Sequence, residues 1–152
     1  MLSSASMNSP IMATETQNSG FNSALVFIRL AGSLPFLYHG SAILFGAFGG
    51  PGPSAFAAFM HAPVIVGYLV GLAQFCGGLA ILLGLFSRIG AACIFFVMAG
   101  AVVMVHLPKG FDVSKGGMEF ALSELFIAIA IVILGPGKYA LGSQLPHPLH
   151  KL

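Results

Sequence analysis

Four long apolar runs, separated by short clusters of Gly, Pro and charge, dominate the pattern along the chain. They are Leu25–Phe48, Val64–Phe86, Ile89–Leu107 and Met118–Leu134, and about 20 apolar residues are what a helix needs to cross a bilayer. The pattern therefore predicts an all-α integral membrane four-helix bundle. Between runs one and two, Gly49–Pro63 opens with Gly/Pro punctuation and then holds SAFAAFMHA, too short to span. It predicts a turn and a short interfacial helix. Ser87-Arg88 leaves almost no loop between runs two and three, so these form a tight antiparallel hairpin.

Details inside the runs refine this. Pro35 lies in the middle of the first span, where it removes one backbone donor and predicts a bend. In the second span Gly67, Gly71, Gln74 and Gly78 recur at i, i+4, i+7 and i+11, which puts three small residues and one polar one on a single face suited to close helix contact. Gly135-Pro136-Gly137 stops the fourth span. The segment Met1–Gly20 lacks an apolar period and the basic, apolar and small-residue zones of a secretory signal. It is assigned as a disordered polar tail, residues 21–137 as the membrane domain and 138–152 as a C-terminal tail containing His147 and His150.

Composition agrees with a bilayer environment: 57% of the 152 residues are hydrophobic, 7% are charged, and mean hydropathy is +0.97, against roughly 25% charged residues in a soluble domain. Lipid is thus the first partner, and a net charge of +2 gives no footprint for nucleic acid. Cys76 and Cys93 form no CxxC and stand in apolar runs, as small buried hydrophobes do. No metal-ligand motif accompanies them. An even number of spans puts both termini on one side. Arg29, Arg88, Lys138 and Lys151 then face Lys109 and Lys115 across the membrane, and the positive-inside rule places the termini in the cytoplasm. Arg29 and Arg88 read as topology anchors, with Arg29 near enough to the surface for its guanidinium to snorkel.

Few residues carry candidate chemistry. At 1.5 Å per residue, His39, Gln74, His106, Glu119 and Glu124 fall at middle to outer depth, one or two from each span. Ionisable groups at such depth are expensive and mark candidate sites. Each has a plain alternative: His39 as a packing residue, His106 as a solvated ring, Glu119 as an acid in the first turn of its helix. Glu124 lies deeper and should be neutral or paired. Glu119 and Glu124 point about 140° apart on a helix, so they cannot face one site together.

Arg29-x-x-Gly32-x-x-x-Phe36-x-Tyr38-His39-Gly40, Gln74-x-x-Gly77-Gly78-x-x-Ile81-Leu82-Leu83-Gly84-Leu85-x-x-Arg88, and Gly116-Gly117-x-Glu119 followed by Gly135-Pro136-Gly137 resemble the DoxX family of small four-helix membrane proteins. The resemblance covers about Ala24 to Leu141. It implies a bacterial cytoplasmic membrane protein linked to quinol or thiosulfate–quinone oxidation or to defence against oxidants. Gln74 stands where that family often carries Glu, and Ala140-Leu141-Gly142 where it more often has Ser-Leu-Asp.

Two functions follow as expectations. In the first, His39, Gln74, His106 and Glu124 bind a quinone headgroup or relay protons within a redox-associated subunit, with a redox protein or a second copy of the chain as partner. In the second the chain is a non-enzymatic scaffold or assembly factor whose glycine-rich face on span two meets a partner. A His39→Ala/Glu124→Gln double variant separates them: the first expects loss of quinone-linked activity in membranes, the second a change in abundance or assembly alone.

Overall fold

The computed structural model describes the backbone of residues 9–145 and the side chains of residues 18–145. The described residues form helices α1 (Ser9–Ala31), α2 (Leu34–Phe45), α3 (Gly52–Phe59), α4 (Val64–Leu83), α5 (Ser87–Ala101) and α6 (Glu119–Leu134), with no strand among them. Three helical stretches, Asn18–Phe45, Val64–Leu83 and Ser87–Lys109, are long and apolar enough to cross a membrane. With 16 residues, α6 reaches about 24 Å.

Pro35 acts earlier than its own position. The helix breaks at Gly32-Ser33 and restarts at Leu34, so that Pro35 occupies the first turn of α2, where its missing N–H costs nothing. Leu37 N–H still reaches the Ser33 carbonyl at 2.9 Å. The bend seats α2 against α4, where a side chain at Gly78 would meet the Ser33 carbonyl at 3.1 Å. Lower down, a Cβ at Gly40 would stand 2.5 Å from the Phe75 amide nitrogen. The glycine face read from the sequence is thus real, with Gly67, Gly71, Gln74 and Gly78 all buried. It is filled within the chain, by α2 and by the Pro53 carbonyl at the start of α3.

On its other side α4 meets α5 glycine to glycine, Gly90 lying against the Gly77 carbonyl, and α5 in turn packs on α6 while α1 touches α4 and α6. The core is Phe36, Ile81, Ala91, Ile94, Met98, Ala121, Ala128 and Ile131. Large apolar side chains point outward instead, Phe27 and Phe96 among the most exposed, as expected where hydrocarbon is the solvent.

The residues at the two chain ends depart from the sequence reading. Helix α1 already begins at Ser9, so it covers most of the stretch assigned to a polar tail. Ala, Met, Glu and Gln there have good helix propensity, and an apolar helix once nucleated extends at little cost. Met1–Asn8 lie outside the described residues. At the other end Lys138–Leu145 folds back: Ala140 is buried, Leu141–Gln144 makes a single helical turn, and Gly142 N–H donates to the Gly84 carbonyl at 3.0 Å. His147 and His150 lie outside the described residues.

Arg29 explains why that segment returns. Its guanidinium does not snorkel; the residue is only 6% exposed. Nε donates to the Ile81 carbonyl at 2.9 Å, Nη2 to that of Leu82, and Nη1 to those of Tyr139 at 3.2 Å and Pro136 at 3.4 Å. Ile81 and Leu82 are in the last turn of α4, whose carbonyls have no partner within the helix, and a cation there also meets the negative end of the helix dipole. Arg88 does the same for α6 through the Ile133 carbonyl at 3.3 Å. Arg29→Met should therefore strip the Leu82, Pro136 and Tyr139 carbonyls of this donor, leave Ile81 with the Gly84 N–H alone, and destabilise the protein by about 3 kcal/mol or more. Thermal unfolding in detergent, with protease sensitivity after residue 137, measures it; an unchanged midpoint contradicts the clasp.

Candidate functional site

Helix α5 does not end regularly. Past Ala101 it widens into a π-helical turn, Val102–His106, in which Leu107 N–H bonds the Val102 carbonyl. The extra residue turns everything beyond it by about 100° around the axis, and such insertions recur at functional sites. It brings His106 Nδ1 to 2.8 Å from the Gly116 carbonyl. A carbonyl only accepts, so Nδ1 carries the hydrogen. A neutral ring then presents Nε2 as an acceptor.

The loop holding Gly116 is built on Asp112. Its carboxylate accepts from the Ser114 hydroxyl at 2.7 Å and the Ser114 amide at 2.9 Å, and its carbonyl accepts from Gly117 N–H at 2.9 Å. Glu119, exposed in the first turn of α6, accepts from Val113 N–H at 3.3 Å. It supports the loop and lines no cavity.

Between α3, α4 and α5 lies a cavity of about 650 Å³ running to His106. Its walls are apolar, with Phe59, Phe96 and Met104 largely exposed along it, so it is a groove open sideways to lipid. Gln74 and His106 are the two strongly polar side chains lining it. Gln74 is 8% exposed and its Oε1 has no hydrogen-bond partner. Because Gly77 lies against Gly90, Gln74 is level with about Cys93–Val97. His106 is nine or more residues further along, roughly 15 Å. The two residues share one groove but stand toward opposite ends of it.

The other candidates are elsewhere. His39 is exposed on α2, edge-on to Tyr38 with ring centroids 5.2 Å apart, and does not line the groove. Glu124 is buried on the core face of α6 beside Ala121 and Ala128 in the sequence of buried positions. Its Oε2 is enclosed without a partner. The structure thus pairs Gln74 with His106 in one cavity and leaves His39, Glu119 and Glu124 apart. The apolar wall from α3 and the Gly116 carbonyl escaped the sequence reading. The Phe- and Met-rich composition of α3 was visible, but nothing in it says that this helix closes a groove.

The DoxX family model matches residues 24–107, more than half of the 152 residues and the part that holds Gln74, His106 and both arginines. No curated protein and no solved structure matches the chain significantly.

The two Ser114 donors hold the Asp112 carboxyl below its ordinary pKa. An acid depressed in the folded state stabilises the fold in full above its unfolded value near 4, and that contribution is lost as pH falls through the lower folded value. Followed by the NMR shift of the Ser114 amide, Asp112 should titrate below the usual Asp range, and Ser114→Ala should move the midpoint part of the way back up. A midpoint unmoved by that change would contradict the assignment.

Proposed function

This chain belongs to the DoxX family, and from that premise we propose that it is a quinone-binding subunit serving a membrane oxidoreductase or oxidant-defence system. In this reading α6 is the fourth span, α3 lies at the interface, and the chain sits in a bacterial cytoplasmic membrane with both termini inside. Arg29, Arg88 and Lys138 at one end of the bundle support that orientation against Lys109 and Lys115 at the other.

The observation that carries the reading is Gln74 Oε1, a buried acceptor left without a donor at the inner part of an apolar groove open to lipid. Such an atom costs about 1–3 kcal/mol unless something bonds to it. A quinone fits this demand: an amide can donate to a ring carbonyl or, turned over, accept from a ring hydroxyl, so Gln74 would hold either redox state without changing its own charge. A bound quinone would supply two-electron, two-proton chemistry. His106, whose Nε2 is free to accept, sits at the loop end of the groove where a proton can pass to water. The walls of α3 and α5 suit an isoprenoid tail. The scaffold alternative draws less support, because the glycine face it needs for a partner is already occupied by α2 and α3.

The chain has no tryptophan, so Phe96→Trp places a single indole on the groove. Added quinone should quench it saturably, and Gln74→Leu in the same background should weaken that quenching about tenfold. Quinone should also be recovered by mass spectrometry from protein purified in mild detergent. Absence of quinone from the extract together with quenching that never saturates would overturn the proposal, and equal affinity in the Leu variant would remove Gln74 from it.

A further inference from the structure

A second cavity, about 290 Å³, lies at the opposite end of the bundle from the loop around Asp112. It is lined by Arg88, Lys138 and Ser143 together with Leu134 and the Gly135-Pro136-Gly137 turn. Its position is fixed by helix ends: Arg88 is the second residue of α5, and Leu134 the last of α6. Both lie where apolar runs stop, and the neighbouring Tyr139 is exposed, as aromatic residues are at membrane–water boundaries.

The charge balance there is one-sided. Among the described side chains the carboxylates are Asp112 and Glu119 in and beside the opposite loop and Glu124 inside α6, and the one ion pair is Lys115–Asp112. Arg29 is committed to four carbonyls. Arg88 makes one hydrogen bond, to Ile133, which leaves most of its five N–H donors unused. Among the described residues the Lys138 ammonium has no hydrogen-bond or ion-pair partner. The C-terminus of α6 offsets only about half a charge. Gly135 matters to the geometry: it has φ +76°, and a Cβ there would be 3.1 Å from Arg88 Nε and Nη2. Its absence lets the planar guanidinium lie across the turn and form one wall of the cavity. Ser143 lines the same wall, its hydroxyl hydrogen given to the Ala140 and Lys138 carbonyls.

A planar donor fork and an ammonium around a pocket open at the membrane surface match the oxygens of a phosphate group. The pocket holds roughly ten waters' volume, ample for a phosphodiester. We propose that Arg88 and Lys138 bind the phosphodiester of an anionic phospholipid where α5 and α6 reach the membrane surface. Inorganic phosphate presents the same chemistry from solution. The lipid is favoured because the cavity borders Leu134, an exposed apolar residue at the edge of the span, against which the glycerol and first acyl carbons can rest. This site is independent of the groove at Gln74.

Native mass spectrometry of the full chain, delipidated in mild detergent, provides the test. Phosphatidylglycerol should be retained over phosphatidylcholine, and Arg88→Gln/Lys138→Gln should lose roughly tenfold or more of that retention. Arg88→Lys, which keeps the charge without the fork, should fall between. Lys109→Gln/Lys115→Gln removes the same charge from the opposite end and should leave retention unchanged. Should Arg88→Gln unfold the protein, Lys138→Gln alone, which spares the cap on α6, should still show a loss of several-fold. Equal loss in the Lys109/Lys115 variant, or no lipid preference in the parent, overturns the site. Displacement of the lipid by millimolar-range inorganic phosphate overturns the lipid assignment and makes the ligand a free anion.

Discussion

Four carbonyl oxygens from two stretches far apart in the chain converge on the guanidinium of Arg29, and the fold depends on that convergence. In water each of those carbonyls could find a solvent donor. Buried at the end of a membrane bundle they cannot, and the last turn of α4 would expose its orphan acceptors to hydrocarbon. One side chain with donors in a fixed fork closes the end of α4, fixes the turn after α6 and holds the Tyr139 carbonyl. The charge itself has no acidic partner among the described residues. It is held by carbonyl dipoles alone, which makes it intolerant of a partner's loss.

This clasp also gives the molecule two unlike ends. Near Arg29 the helices meet through glycine and backbone, with Gly77 on Gly90 and Gly142 on Gly84. Toward the Asp112 loop α4 still packs closely on α3, Gly67 against the Pro53 carbonyl, but α5 widens into a π-helical turn and the space between α3, α4 and α5 opens into the groove. A bundle pinned at one end and loosened at the other places its cavity far from the pin. The loose end then needs its own order, which Asp112 and Glu119 supply through loop hydrogen bonds instead of core packing.

Most of the fold was legible in the sequence because the bilayer imposes length and polarity on each span. The i, i+4, i+7, i+11 glycine face identified which side of α4 is buried, and Gln74 was correctly assigned to protein. The angle around α2 and around the end of α5 was not legible. His39 and Gln74 were placed at related depths, yet His39 turns outward beside Tyr38, because α2 restarts after the break at Gly32-Ser33 and its register toward α4 is set by Gly40 and Phe75. The π-helical turn before His106 is a second such shift, invisible in VVMVH. Arg29 misled for a different reason: five residues inside an apolar run, snorkelling and carbonyl capping look alike until the ends of α4 and α6 are seen beside it. The returning C-terminal segment could be read only from that clasp.

Two buried polar side chains remain without partners, and the contrast between them bears on what the groove is for. Glu124 is buried on the core face of α6 and lines neither cavity, so its unpaired oxygen borders no space where a ligand could meet it. Gln74 carries the same kind of cost but borders an accessible cavity. Only there can a molecule entering from the lipid recover the lost hydrogen bond, so only there does the cost convert into affinity. A neutral amide suits that position better than a carboxylate, since an empty groove lined by hydrocarbon would penalise a charge far more heavily. On the quinone reading proposed above, the hydrogen bond left unmade at Gln74 is therefore the term that would favour an amphiphile with a hydrogen-bonding head over a plain acyl chain.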